Sequence, residues 1–106
     1  MTVKPGYNYY CEISAKYGLV PVKINAVIRV DSEDSFHGEG TAMGKTIAFK
    51  NGTVRNGKYC FSVSAKGMTA AIEASLNSDG SISGTATVAG SKPISCKGKI
   101  IREEKA

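Results

Sequence analysis

Apolar and polar side chains alternate along most of this chain. The clearest stretch is residues 20–30, VPVKINAVIRV, in which every second residue from Val20 to Val30 is apolar and the intervening positions include Lys23 and Arg29. A period of two is typical of a β-strand that buries one face and exposes the other. The same alternation recurs at short intervals up to residue 101, and it predicts about eight strands.

Asn-Gly pairs and other Gly-containing dipeptides mark the turns. Asn51-Gly52 and Asn56-Gly57 can each reverse the chain, because Asn and Gly tolerate the positive φ that a two-residue hairpin turn needs. Too few residues separate them for both to do so. We predict that Asn56-Gly57 is the hairpin turn and that Asn51-Gly52 is a bulge within a strand over about residues 46–55. Further reversals are predicted near Tyr17-Gly18, in the polar loop 31–35, and at Gly44-Lys45, Lys66-Gly67, Asp79-Gly80 and Ala89-Gly90.

One segment, residues 68–76 (MTAAIEASL), also has helical character, because Ala and Glu favour helices. Its period of two and the flanking glycines favour a strand, and a strand is predicted. Strands joined by short connections predict an all-β antiparallel up-and-down meander that closes into a small barrel. A two-sheet β-sandwich is the alternative, although a sandwich usually needs longer connections between its sheets.

The length predicts a single domain over residues 1–106. We expect an ordered core of about residues 7–101 and a frayed tail at residues 102–106. If the first and last strands meet, Cys11 and Cys96 should come close together, since both lie in apolar phases of their strands.

The predicted inner face mixes bulky side chains with very small ones, among them Gly38, Gly40, Ala74 and Gly84. An eight-stranded barrel can either fill its interior with side chains or hold one small ligand. Collapse around the small residues and a true cavity therefore both remain open. For a cavity, the alternation predicts as lining residues Tyr9, Ile24, Ile28, Phe36, Phe49, Tyr59, Phe61, Ile72 and Ile82.

Charge and cysteine content narrow the function classes. Fourteen Lys and Arg against nine Asp and Glu give a net charge of +5, which permits attraction to polyanions. The cations are scattered singly along the chain, which favours a generally basic surface over a nucleic-acid footprint. No secretory signal or membrane helix is present, so a cytoplasmic protein without a membrane partner is predicted. Three cysteines cannot complete a disulfide framework and should be thiols.

Candidate chemistry is sparse. His37 and Glu39 share one face of a predicted strand and could do acid–base work, but a solvated polar face is the better interpretation. The five tyrosines could stack on bases or on a ring ligand, whereas packing in the core and at its rim is the simpler interpretation. No phosphate loop, dinucleotide fingerprint or nucleophile elbow occurs. We therefore assign no catalytic residue, no metal site and no cofactor.

Three segments carry a family resemblance: GEGTAMGKTIAFKNGTVRNGKYCFSVSAKG, then IEASLNSDGSISGTATVAG, then KGKI. Over about residues 20–101 this order resembles a small bacterial lipocalin-like (calycin-like) β-domain, with a Gly-rich strand, an NGTV hairpin and a G-x-I-S-G-T strand. The resemblance implies a barrel that occurs beside or fused to metabolic enzymes. The early Gly-x-Trp motif of lipocalins proper and of avidin-type barrels is missing, so the resemblance supplies no binding residues.

The resulting expectation is a non-catalytic binding or accessory module that holds a small apolar or aromatic ligand in its lumen. The alternative is a basic interaction domain that engages single-stranded nucleic acid through exposed Tyr and Lys, or a protein partner. An enzyme is the third interpretation.

Overall fold

A computed structural model describes residues 3–17, 20–42, 44–65, 68–88 and 92–106. Eight antiparallel strands run in chain order, and each pairs with the next, while the last pairs with the first. The predicted up-and-down barrel is confirmed, and the sandwich is not formed. The strands are β1 (Tyr7–Tyr17), β2 (Val20–Val30), β3 (Ser35–Ala42), β4 (Lys45–Arg55), β5 (Lys58–Ala65), β6 (Met68–Leu76), β7 (Ser81–Val88) and β8 (Ile94–Lys105).

The two ends of this barrel differ, and we name each one. The terminal end is the end at which β1 begins and β8 ends. The hairpin end is the opposite one, at which β1, β3, β5 and β7 end and the even-numbered strands begin. The buried apolar side chains lie toward the terminal end, which the chain segment before β1 covers, or near mid-barrel. They are Tyr9, Cys11, Ala26, Val30, Phe36 and Phe49.

The two Asn-Gly pairs do different things, as predicted. Asn56 and Gly57 both have positive φ (51° and 77°) and connect β4 to β5. Asn51 also has positive φ (59°), but it lies inside β4, where the β3–β4 register shifts by one residue. Because of the extra residue, odd-numbered positions of β4 face inward before the bulge and even-numbered positions face inward after it. Phe49 and Val54 therefore both face inward, and Val54 pairs with the inward Tyr59.

The end of β8 corrects the predicted tail. Residues 102–105 are paired with β1, with Tyr9 opposite Glu103 and Tyr7 opposite Lys105. A second bulge, at Ile101, makes this possible, because the register shifts between the pairs Tyr10–Arg102 and Cys11–Ile100. The extra residue leaves the Ile101 side chain 52% exposed.

The predicted proximity of Cys11 and Cys96 is wrong. Cys11 lies opposite Ile100, and Cys96 lies opposite Ala15. An offset of that size along a strand corresponds to about 13 Å, well beyond the reach of a disulfide. All three cysteines are free thiols.

The remaining turn predictions divide into three groups. Gly80 has a φ of 86° in the turn between β6 and β7, and Gly44 has a φ of 76° just before β4. The polar loop ends one residue earlier than predicted, since Ser35 already belongs to β3. The turns predicted near Tyr17-Gly18, Lys66-Gly67 and Ala89-Gly90 fall on residues 18–19, 66–67 and 89–91, outside the described residues.

Candidate functional site

The barrel interior contains a cavity of about 360 Å³. Of the two alternatives left open by the sequence, the unfilled lumen is the one observed. Its lining is almost entirely apolar, and all nine residues predicted from the alternation contribute to it. The prediction omitted several others that the structure brings to the lumen, notably Val3, Cys11, Lys45 and Cys96. Val3 precedes the first strand and Lys45 is charged, so an apolar alternation could signal neither of them.

Four aromatic rings from β3, β4 and β5 form one wall of the lumen. Phe36 is at the centre, with ring centroids 6.1 Å from Phe49, 5.7 Å from Tyr59 and 5.8 Å from Phe61. Phe49 and Phe61 are stacked, 4.2 Å apart with 26° between their planes. We call Phe36, Phe49, Tyr59 and Phe61 the aromatic wall. It offers ring faces and edges to a planar apolar ligand.

Two glycines make room for this wall. Gly52 lies directly across from Phe36, and Gly38 lies directly across from Phe49. A Cβ on Gly52 would overlap the Phe36 ring, and a Cβ on Gly38 would overlap the Val27 carbonyl oxygen on β2 and lie 2.9 Å from Phe49 Cζ. The two pairs are reciprocal, since each strand supplies one Phe and one Gly. Position 52 therefore needs Gly because the Phe36 ring covers it, and position 38 needs Gly chiefly because the β2 backbone approaches it closely.

The terminal end of the lumen is closed by both chain termini. The Tyr9 hydroxyl accepts a hydrogen bond from the Lys4 backbone N–H at 2.8 Å, and Val3 packs against the core around Tyr9. Gly6 N donates to Val30 O at 3.1 Å, and Ala106 N donates to Gly6 O at 2.8 Å. These contacts hold the segment before β1 across this end of the barrel.

The Tyr9 hydroxyl is the principal polar group at the closed end. Its pKa is raised to about 12, first by burial and then by a hydrogen bond to the Glu103 carboxylate. The Lys4 amide opposes this shift by donating to the same oxygen. Tyr9 therefore stays neutral at physiological pH, and both bonding capacities of its hydroxyl are used by the protein.

Two thiols also face the lumen. Burial raises the pKa of Cys11 to about 11 and raises the pKa of Cys96 as well. Both are therefore protonated near neutral pH and act as small apolar lining groups. Cys60 lies on the outer wall instead. In the part of the chain that the structure describes, no cluster of three or more metal-ligating side chains occurs.

His37 and Glu39 do not form an acid–base pair. The His37 Nδ1 is 2.8 Å from Asp31 Oδ2, while Glu39 Oε1 accepts a hydrogen bond from Arg29 Nη2 at 2.8 Å. Each side chain thus has another partner, and all four are at least a third exposed on the outer wall. The structure agrees with a solvated polar face.

The tyrosines lie in two settings. Tyr9 and Tyr59 line the lumen. Tyr7 and Tyr10 are outside it, and each has a cation over its ring, Lys4 at 5.5 Å and Arg102 at 4.1 Å from the centroid. The Tyr17 side chain lies outside what the structure describes.

A second concavity, of about 510 Å³, lies on the outer wall of β4 to β7. Its lining includes Lys50, Thr53, Ser62, Glu73 and Thr85, most of them small or polar. Small-molecule sites are usually lined by apolar and aromatic groups, so the lumen is the better candidate despite its smaller volume.

No protein-family model, curated protein or solved structure matches the chain. Within the described residues, no helix is both long and apolar enough to cross a bilayer. The function is therefore inferred from the geometry of the barrel itself.

Proposed function

We propose that the protein is a non-catalytic barrel that binds a small apolar or aromatic molecule in its lumen. The observation that carries this proposal is the apolar cavity of about 360 Å³ beside the aromatic wall. This volume lies within the range of about 300 to 1,000 Å³ that is usual for small-molecule sites. Transfer of apolar surface from water into such a cavity contributes about 25 cal/mol per Å².

The closed eight-stranded meander is consistent with the lipocalin-like resemblance of the sequence. On that resemblance we further propose that the protein works as an accessory module beside a metabolic enzyme. A bacterial source and a cytoplasmic location stay predictions from the sequence.

The alternative, a basic domain that binds single-stranded nucleic acid, has less support. Such domains stack bases on exposed aromatic faces. Of the described tyrosine side chains, Tyr9 and Tyr59 point into the lumen, while Tyr7 and Tyr10 each carry a cation over one ring. The outer wall therefore offers few free stacking surfaces.

A fluorescence titration with N-phenyl-1-naphthylamine, a neutral aromatic probe, tests the proposal. Ala86 lines the lumen, and Thr87, the next residue of β7, is on the exposed phase of the same strand. We expect the wild type and Thr87→Phe to bind the probe and Ala86→Phe to bind it at least about tenfold more weakly, because the added ring occupies the cavity. Equal binding by the two variants, or no binding by the wild type, would contradict a lumen site. Native mass spectrometry of freshly purified protein then shows whether a ligand is carried along.

A further inference from the structure

The charges of this protein are divided unequally between the two ends of the barrel. The described residues of its hairpin half are 13–17, 20–24, 40–42, 44–49, 62–65, 68–71, 86–88 and 92–97. They contain five lysines and no Asp or Glu. All nine carboxylates of the chain lie elsewhere, toward the middle or the terminal end. The five lysines are Lys16, Lys23, Lys45, Lys92 and Lys97.

Three of these lysines are neighbours on the outer wall. Lys23 and Lys97 both lie opposite Ser14, one on each side of β1, and Lys16 is two residues further along β1. Strands are about 4.8 Å apart, so the Cα atoms of Lys23 and Lys97 are about 10 Å apart. The three ammonium groups together create a positive potential on the outer wall near the hairpin end, which attracts anions that approach it.

Lys45 belongs to the lumen itself. It opens β4 in the same phase as Ile47 and Phe49, and it is part of the cavity lining although its side chain is exposed. The cavity therefore opens toward solvent along the Lys45 side chain, whose stem contributes to the apolar lining. Among the described lining residues Lys45 is the single charged one.

The opposite end carries carboxylates together with cations, among them Lys4, Arg55, Lys58 and Lys105. Glu103 receives the Tyr9 hydrogen bond at the closed end of the lumen. The loops at that end contribute Asp31, Glu33, Asp34 and Asp79. The net positive charge of the described residues therefore lies at the hairpin end, and an anion placed at the closed end would lie beside the Glu103 carboxylate and lose its hydration.

We infer that the ligand of the lumen is an apolar acid, with its apolar body against the aromatic wall and its anionic head at the hairpin end beside Lys45. This inference rests on the proposed lumen site and adds the ligand's charge and direction to it. The lysine field also increases the rate at which such a ligand arrives, and salt weakens that effect.

Displacement of N-phenyl-1-naphthylamine by three ligands with the same tail tests the inference. The ligands are decanoate, 1-decanol and decyltrimethylammonium, compared at pH 8. At about 10 mM salt we expect decanoate to compete about fivefold better than decanol, and the ammonium to compete worst. The preference should shrink at about 0.5 M salt, because the charges are exposed.

Two charge-reversal variants locate the effect. Lys45→Glu should remove the preference for decanoate over decanol. Lys105→Glu alters the net charge equally at the terminal end and should keep the preference. If decanol competes as well as decanoate in the wild type, or if Lys45→Glu retains the preference, the inference is wrong while probe binding still supports the lumen site. If neither the probe nor decanoate binds, the lumen proposal fails too.

Discussion

At the scale of single residues, the aromatic wall depends on two side chains that are absent. Gly38 and Gly52 face the rings of Phe49 and Phe36 across the β3–β4 ladder. Gly52 leaves the space that the Phe36 ring fills, whereas an added Cβ at Gly38 would first meet the Val27 carbonyl oxygen and then Phe49 Cζ. Gly40, on the same strand as Gly38, has a different setting, since an added Cβ would meet Ile24 Cγ2 at an ordinary 3.5 Å.

This difference predicts opposite effects of the same substitution. We expect Gly52→Ala to destabilise the protein by about 1–3 kcal/mol, because its Cβ forces the buried Phe36 ring to move. Gly40→Ala should be neutral or stabilising by up to about 1 kcal/mol, because Ala loses less conformational freedom than Gly on folding. Urea unfolding of the two variants measures both changes. Similar midpoints would show that the Phe36 ring is not held against Gly52.

Cys11 predicts a pH dependence. Its pKa is about 11 in the fold and near 9.0 when unburied, so between these values the unfolded chain releases a proton that the folded protein keeps. Stability from this group is complete below about pH 9 and is lost as the pH rises through 11, by about 3 kcal/mol in all. In reducing buffer, Cys11→Ala should show a flatter loss of stability between pH 8 and pH 11 than the wild type.

The matched control for that measurement is Cys60→Ala. Cys60 is on the outer wall, so this variant should follow the wild-type pH curve. Parallel curves for wild type and Cys11→Ala would mean that the Cys11 thiol titrates normally in the folded protein.

The residues of the candidate site could be predicted from the sequence to the extent that alternation decides which face they occupy. Ile24, Ile28 and Ile72 needed nothing more than their phase in a strand. The relation of Cys11 to Cys96 could not be predicted this way, because it depends on register. The register between β1 and β8 depends on how far the two strands are offset along their length and on the bulge at Ile101. The alternation of apolar and polar residues indicates neither of these.

At the scale of the strands, the two bulges differ in how visible they are in the sequence. The β4 bulge is signalled by Asn51-Gly52 lying so close to Asn56-Gly57, since one of two adjacent turn signals has to remain within a strand. The β8 bulge lies in KIIREEK, which contains no turn residue. Charged residues at the end of a chain then suggested a tail, although their backbone pairs with β1.

The paired end of β8 predicts a clear cost of truncation. Removal of residues 102–106 deletes the partners of Tyr7, Tyr9 and Tyr10 on β1 and exposes the Tyr9 hydroxyl. We expect a loss of at least about 2 kcal/mol in urea unfolding, from the ladder and the buried hydrogen bond.

A control for this truncation keeps the strand and removes its surface charges. Arg102→Gln with Glu104→Gln breaks an exposed ion pair (2.9 Å) and the contact of Arg102 with the Tyr10 ring, and it should change stability by about 1 kcal/mol or less because both contacts are at the surface. A truncated protein as stable as the wild type would restore the interpretation of these residues as a tail.

At the scale of the whole molecule, topology gathers charges that are dispersed along the chain. Lys16 and Lys23 flank the connection after β1, Lys45 starts β4, Lys92 precedes β8, and Lys97 lies near the start of that strand. In an up-and-down meander every second connection falls at the same end, so these residues share one end of the barrel. Because the sequence contains no block of like charge, it argued against a cluster of cations on the surface. In this fold, however, lysines at every second connection between strands come together at one end of the barrel.

The ladders of the barrel are also unequal in length, which matters for how the barrel is closed. Among the described residues, β6 and β7 have seven register pairs, whereas β4 and β5 have three. Beyond Thr53 and Cys60 the β4–β5 boundary is bridged on the inside by the stacked rings of Phe49 and Phe61. The segment before β1 lies close to the end of β8, since Ala106 N donates to Gly6 O, so these two segments can be joined and the barrel opened elsewhere.

Circular permutants test this inequality directly. With a short Gly-Ser linker from Ala106 to Val3, β8 and β1 become a hairpin, and the opened ladder must form between the two new ends of the chain. The entropic cost of that closure is nearly equal for openings at Ser78-Asp79 and at Asn56-Gly57, because it varies only slowly with loop length. The longer β6–β7 ladder should offset this cost better. We therefore expect the Ser78-Asp79 permutant to have the higher urea midpoint and to retain probe binding, and the Asn56-Gly57 permutant to be weaker in both. The reverse order would mean that ring packing between Phe49 and Phe61, rather than ladder length, holds β4 to β5.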